Sequence, residues 1–243
     1  MSVETEPAIA GSREDREQRI VKALEEDIIF GRLAPGTRLT EDALLARFAV
    51  TRHFVRQALV QLETMGVVVR ERNKGATVRS LSPEEVSQIY AVRELLQRQA
   101  ALWIPLPAPA SLIDELTAIN GEYSRHVDKG YLRGVHESND RFHIALFGAC
   151  GNQYLLDSIE LYMRLTLPVR ARTMASHDQL IVSREHHRMM IEMMKGVDNW
   201  VLAQLCVDHI QPSKNEYLSR VGYFGGGHAS GPGGRERFLA AES

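Results

Sequence analysis

Apolar residues recur at helical spacing from the start of the ordered-looking sequence. Between Asp15 and Phe30, positions Ile20, Val21, Leu24, Ile28 and Ile29 describe one buried helical face. Gly31 ends that helix. The segment LAPGTRL reads as a turn, with Pro35 presetting one backbone angle and Gly36 accepting positive φ. Thr40 is an N-cap for a short helix that buries Ala43, Leu44 and Phe48. After Ala49-Val50, Thr51 caps a second helix running to about Met65, whose apolar face is Val55, Ala58, Leu59 and Leu62. Gly66 stops it. Val67, Val68 and Val69 suit a strand, Asn73-Lys74-Gly75 a hairpin turn and Ala76 to Arg79 a return strand.

From Ser82-Pro83-Glu84-Glu85 onward, a cap with proline at the first helical position, only helical patterns follow. They predict helices over 84–103, 109–129, 131–149, 152–175, 178–195 and 198–220, punctuated by Pro105, Pro107, Pro109, Gly130, Gly151 and Gly196. The expected fold is mainly α: an N-terminal winged helix-turn-helix, then an all-helical bundle. The expected division is a disordered 1–12, a winged helix-turn-helix over 13–80, a helical domain over 84–220 and a flexible Gly-rich tail over 221–243.

Composition narrows the class. With 44% hydrophobic and 25% charged residues, a soluble globular chain is expected. No apolar run approaches the roughly 18 residues needed to cross a bilayer. The acidic N-terminal stretch has no basic n-region, so a secretory signal is not expected. Cys150 and Cys206 sit in apolar helical patterns and read as thiols in a reducing cytoplasm. The net charge of −2 hides a local excess. Between Arg32 and Ser80 stand nine Lys/Arg and four acids, the footprint that phosphate binding requires.

The helix opening at Thr51 carries Arg52, His53 and Arg56 in its first turns. Arg52 and Arg56 are four apart and share a face, opposite the apolar one. Arginine can donate two bonds to guanine O6 and N7, and Thr51 at the helix N-terminus suits a phosphate. Arg70, Arg72 and Lys74 on the hairpin are placed to reach phosphates or the minor groove. Arg38 before the first capped helix and Gly75 at the hairpin complete the expected DNA-facing set. Without the turn and hairpin around it, the same helix would read as a solvated basic face.

The string G-x-L-x-P-G-x-x-L, then V-T-R-x-x-V-R-x-A-L-x-x-L-E-x-x-G, then a basic hairpin ending G-A-T-V, resembles the GntR family of bacterial transcription regulators over nearly all of residues 20–80. Two departures stand out. Ala49 occupies a position where the family usually has glycine, at a cost of about 1 kcal/mol if it takes positive φ. His53-Phe54 stands where the family often has Thr-Pro, which bears on base preference.

His143, His187 and His209 fall on three different predicted helices. Three imidazoles with one oxygen would suit Zn²⁺, Ni²⁺ or Mn²⁺, but spacing does not establish convergence, and helical histidines are more often caps or surface groups. The string F-H-x-x-L-x-x-A-x-G-N, followed by His187-Arg188, Asp198 and His209 at eleven-residue steps, resembles the FCD ligand-binding domain of the FadR subfamily. That resemblance implies metal ligands Asn139, His143, His187 and His209, with an amide where the family has Asp or Asn. Asp140, three before His143 and able to share its face, is a rival oxygen ligand. His186 is expected to point away. The resemblance also implies that Arg93 lines an effector pocket, where its fork would suit a carboxylate; an ion pair with Glu94 is the structural alternative. The methionines at 189, 190, 193 and 194 read as core or dimer packing, and Trp103 and Trp200 as packing anchors. Tyr123 and Tyr131 are open candidates for a pocket wall.

The function implied is a homodimeric, ligand-responsive repressor without enzymatic activity. It would bind a near-palindromic duplex operator, with a small carboxylate as effector and a divalent metal as a possible cofactor. Two alternatives remain at this point: a metal-dependent enzyme with a DNA-binding appendage, which lacks an H-E-x-x-H or paired E-x-x-H signature, and an architectural DNA-binding protein without an effector.

Overall fold

The computed structural model describes residues 13–71, 75–174 and 176–220. Expectations for 1–12, for Arg72 and Lys74, and for 221–243 fall outside these residues. The first part comprises α1 (Arg13–Ile29), β1 (Arg38–Leu39), α2 (Glu41–Phe48), α3 (Arg52–Thr64), β2 (Val68–Glu71) and β3 (Gly75–Val78). The remainder is helical: α4 (Pro83–Trp103), α5 (Ala110–Asp128), α6 (Leu132–Gly148), α7 (Gln153–Leu165), α8 (Leu167–Met174), α9 (His177–Met194) and α10 (Asn199–Arg220).

The caps follow the sequence. Thr40 accepts from the Ala43 N–H at 3.3 Å, and Ser82 forms a capping box with Glu85 ahead of Pro83. Thr51 takes the N-cap position of α3 but its side chain makes no capping bond. Between α2 and α3, Ala49 adopts φ 51, ψ 42 and donates its N–H to Leu45. This left-handed conformation is the one that favours glycine.

The three strands run in the order β1-β3-β2, all antiparallel. Arg38 pairs with Thr77, and Arg70 pairs with Ala76. β1 is a correction to the reading of LAPGTRL as a turn alone: two residues are too few to show strand alternation. Gly75 is required where β3 begins. Its φ is 87°, and a Cβ there would stand 2.5 Å from the Leu39 carbonyl oxygen.

The expected single helix over 152–175 is two helices. Thr166, with φ −96 and ψ 8, separates α7 from α8. Pro168 sits in the first turn of α8, where its missing N–H costs nothing, whereas inside a continuous helix it would remove a bond. Pro212 is different: it lies inside α10 and cannot donate to the carbonyl of Asp208.

One apolar cluster holds α1, α2, α3 and the sheet together and runs on without a break into Tyr123, Val127, Val135, Leu167, Met174 and Leu180 of the helical part. Lys22 on α1 pairs with Glu137 on α6 at 2.7 Å, and Glu26 pairs with Arg133. The winged part is thus bonded to α6 and α8 across a packed seam as well as through residues 79–82. A second cluster fills the bundle, with Met190 and Met194 buried and Met189 and Met193 packed against it. Trp103 and Trp200 are 50% and 68% exposed, so the expectation of packing anchors fails within this chain. Among the described residues no helix is long and apolar enough to cross a membrane.

Candidate nucleic-acid interface and effector pocket

On α3 the apolar residues Val55, Ala58, Leu59 and Leu62 face the core, which turns Arg52, His53 and Arg56 outward. Neither arginine is bare. Arg52 binds Glu41 at 3.1 Å and Asp42 at 3.0 Å, and Arg56 binds Glu41 at 2.8 Å. His53 packs edge-on against Phe54, whose ring is half-buried and lies 5.9 Å below the Arg16 guanidinium. Arg38 is exposed on β1. Four more arginines of the basic count are partly neutralised: Arg32 and Arg47 clamp the buried Asp27, Arg70 pairs with Glu63 and Arg79 with Glu85. Two of those partners, Asp27 and Glu85, lie outside the counted window, so the sequence count overstated the free positive charge.

In the bundle, α6, α9 and α10 bring His143, His187 and His209 together, with one ring nitrogen of each within 4.8 Å of the others. His143 and His187 are buried and His209 half-buried. The Nε2 atoms of His143 and His209 lie 3.0 Å apart. Both nitrogens of His187, and the Nδ1 atoms of the other two, have no hydrogen-bond partner among the described residues. His187 is held by stacking on Phe142 and by the edge of Tyr123. Burial holds all three imidazoles well below their ordinary pKa, so they are neutral, and the one lone pair engaged within the cluster is that of the acceptor in the His143–His209 bond. Buried polar atoms without partners are rare in folded proteins, and several converging in one place form a nitrogen donor set that fits a borderline divalent cation.

The oxygen candidates separate clearly. Asp140 is gripped by Arg170 at 2.9 Å, with His136 at 3.7 Å; its place on the α6 face turns it to α8, and it does not join the histidine cluster. Asn139 donates its amide nitrogen to Asp140 at 3.1 Å, which leaves its carbonyl oxygen as the donor-free end. Asn139 lines the same cavity as His143 and His209. His186 lines it too, its ring 5.6 Å from that of His209. The expectation that it points away is therefore corrected: the cavity reaches one residue around the α9 face.

Arg93 is 4% exposed. Its Nη1 donates to the Thr166 hydroxyl at 2.9 Å, its Nε has no partner among the described residues, and its guanidinium lies 5.1 Å from the Tyr90 ring centre. Glu94 is not its partner but that of Lys214, at 3.0 Å. Burial pulls the Arg93 pKa down to about 10, leaving a buried charged fork with no carboxylate of the described residues bonded to it. The cavity faced by Arg93, Arg170, Asn139, His143 and His209 measures about 80 Å³, against roughly 300–1,000 Å³ for pockets that take drug-sized ligands. Tyr123 forms part of its wall, with its hydroxyl donating to the Leu180 carbonyl at 3.3 Å. Tyr131 is exposed beside His126 instead.

Residues 16–78 match the gntR family of bacterial regulatory proteins, and residues 88–212, half of the chain, match the FCD domain. The chain belongs to the gntR family of bacterial regulators and carries an FCD domain. These are families of transcriptional regulators and not of enzymes, which removes the enzyme alternative. The HTH-type transcriptional repressor RspR of Escherichia coli K12 is 28% identical over 148 residues, a match covering 59% of this chain and only 63% of RspR. The repressor GlaR of the same organism is 27% identical over 77% of this chain and 89% of its own length. The gluconate operon transcriptional repressor of Bacillus subtilis is 26% identical over 76% and 78%. In fold, the structure is similar to E. coli McbR/YncC, with a TM-score of 0.72 at 17% identity over 85% of this chain and 98% of that one. A GntR regulator of Rhodococcus sp. RHA1 gives 0.69 at 20% identity over 84% and 98%.

Sequence reasoning missed Arg170, Thr166 and Glu41. Arg170 and Thr166 lie beside the break between α7 and α8, in a stretch read as one continuous helix. Glu41 reads as an ordinary first-turn acid, and nothing in its spacing points to α3.

Proposed function

We propose that this GntR/FCD regulator acts in the cytoplasm as a homodimeric repressor. Each protomer reads one half-site of a near-palindromic operator through α3 and the wing, and releases it when the helical cavity takes up a small carboxylate. The observation that carries the effector reading is Arg93: a buried guanidinium with an unpartnered Nε, facing a small cavity and bonded to no acid. A carboxylate completes such a fork with charge-assisted hydrogen bonds. His143, His187 and His209, with the carbonyl oxygen of Asn139, would hold a divalent Zn, Ni or Mn ion, which supplies a positive docking point for effector oxygens. Arg93 orients the acid and Arg170 adds positive charge, while Asp140 fixes Arg170 and the Asn139 amide. On the DNA side, Thr51, Arg52, His53, Arg56 and Arg38 face the duplex from α3 and β1, with Arg72, Lys74 and Gly75 at the wing.

The seam of α1 against α6 and α8 supports a direct route for the signal. Arg170 belongs to α8 and His136 and Asp140 to α6, so groups that line or brace the cavity sit on the helices that carry the winged part. An acid that draws Arg170 toward itself changes the arrangement on which α1 rests. The effect on DNA affinity equals the differential affinity of the acid for the two arrangements.

The test is a thermal-shift screen of small organic acids against the protein loaded in turn with Zn²⁺, Ni²⁺ or Mn²⁺, with a chelator-treated control. Stabilisation by an acid in the wild type, absent in Arg93→Ala, supports the reading; no stabilisation by any acid or metal favours a DNA-binding protein without an effector.

A further inference from the structure

The two leading DNA-facing arginines are bonded to α2 in different ways. Glu41 divides its carboxylate between them: Oε2 accepts from Nη1 of Arg52 at 3.1 Å and Oε1 accepts from Nε of Arg56 at 2.8 Å. Arg52 gives its second terminal nitrogen, Nη2, to Asp42 at 3.0 Å. The end of the Arg52 fork, the edge that would meet guanine O6 and N7, is therefore closed by two acids. Arg56 is anchored by Nε alone, and neither of its terminal nitrogens makes a hydrogen bond to the described residues. The bond to Arg56 also holds the Glu41 carboxyl below its usual range.

An arginine reads guanine end-on with both terminal nitrogens, and its long side chain must first give up rotamer freedom. Anchoring at Nε removes part of that freedom before the duplex arrives, without using the reading edge. Closing the end of a fork with carboxylates does the opposite. Asp42 is 85% exposed on its side chain and carries a negative charge on the surface that would meet phosphates.

Resting on the assignment of α3 to the major groove, we propose that Glu41 is a specificity-determining positioning residue. It presets Arg56 as the base reader, and with Asp42 it holds Arg52 away from base reading. Asp42 also acts as a counterweight: its charge lowers affinity for all duplexes alike, and because Glu41 still bonds Nη1 of Arg52 when Asp42 is removed, its loss alone leaves base preference unchanged.

The experiment uses the full-length protein and binding-site selection from randomised duplex DNA. Affinities are then measured for the selected duplex and for versions with each G·C pair replaced, at one fixed salt concentration. Six proteins are compared: wild type, Arg52→Ala, Arg56→Ala, Glu41→Ala, Glu41→Gln and Asp42→Asn, with thermal melting as the control for folding. The wild type should lose about ten-fold or more at one G·C pair in each half-site. Arg56→Ala and Glu41→Ala should both lose discrimination at that same pair and keep it elsewhere. Glu41→Gln, which retains one acceptor for Arg56, should recover part of it. Asp42→Asn should bind every duplex more tightly by a similar factor. Glu41→Ala with unchanged discrimination, or with discrimination lost equally at all positions, overturns the positioning role. If the lost pair in Arg52→Ala is the one lost in Glu41→Ala, the division of labour is wrong. A wild type that selects no sequence overturns the DNA-reading assignment itself, a result distinct from the others.

Discussion

Arg170 holds Asp140 in an ion pair, Nη1 to Oδ1 at 2.9 Å, beside the histidine cluster and not within it. Burial alone would raise the Asp140 pKa, but Arg170 and then His136 oppose it and keep the carboxyl well below the usual range. The carboxylate therefore stays charged, steadies Arg170 at the cavity wall and accepts a hydrogen bond from the Asn139 amide. The residue one position away from the expected oxygen ligand thus serves to orient it.

That arrangement separates two neighbouring substitutions. Asp140→Ala leaves the Arg170 guanidinium without its partner in a mostly buried place and should cost about 3 kcal/mol in urea unfolding, near the lower end for breaking a buried pair. Asn139→Ala should leave the urea midpoint close to wild type while weakening retention of Zn²⁺, Ni²⁺ or Mn²⁺ on dialysis. The reverse pattern would make Asp140 the ligand.

Ala49→Gly should stabilise the protein by about 1 kcal/mol, because Ala49 sits at φ 51, where a Cβ meets the following carbonyl. Glycine takes the same conformation without that contact. Urea unfolding of the two proteins checks this, and equal midpoints would show that the turn carries no strain.

Stability should depend on pH through the three cavity histidines. Each has a folded pKa well below the ordinary 6.5, chiefly because burial penalises the imidazolium. Below that value the unfolded chain binds protons that the folded chain refuses, so unfolding is favoured as pH falls. Chelator-treated protein should have a flat melting temperature above about pH 7 and a falling one from about pH 6.5 downward. His187→Phe should flatten part of that slope, since the ring stacks on Phe142 in an apolar setting.

Much of the winged part was legible because short-range rules decide it. Thr40, Ser82 and the apolar face of α3 act through neighbours three or four residues away, and the structure has them in those roles. β1 was invisible because its two residues pair with Thr77 and Ala76, nearly forty positions on. The same limit applies to the site. His143, His187 and His209 could be named from family resemblance, but their convergence depends on how three helices pack. Arg170 and Thr166 were hidden by the break before Pro168, a position that a periodic apolar pattern crosses without a mark. Glu41 bonds to Arg52 and Arg56 across a helix-turn-helix whose geometry is tertiary.

Arg93→Leu should uncouple the two parts. Removing a buried guanidinium that no acid pairs should cost the fold little, since the Thr166 hydroxyl keeps its own bonds to the Tyr162 and Met163 carbonyls and a buried position accepts an apolar side chain, and it removes the fork that would hold an acid. The variant should melt within a few degrees of wild type and bind the selected duplex with unchanged affinity, yet gain no stability from any acid that stabilises the wild type. Stabilisation of the variant by the same acid would place the carboxylate elsewhere in the cavity.

The central claim is that an acid in the helical cavity governs DNA reading by α3. It is tested most directly by fluorescence anisotropy with the selected duplex at fixed salt, with and without the acid found by thermal shift. The wild type should lose about ten-fold or more in DNA affinity when the acid is added, within the 5- to 150-fold range roughly expected of site-to-site coupling, and Arg93→Leu should show no change. An unchanged wild-type affinity at saturating acid would contradict it.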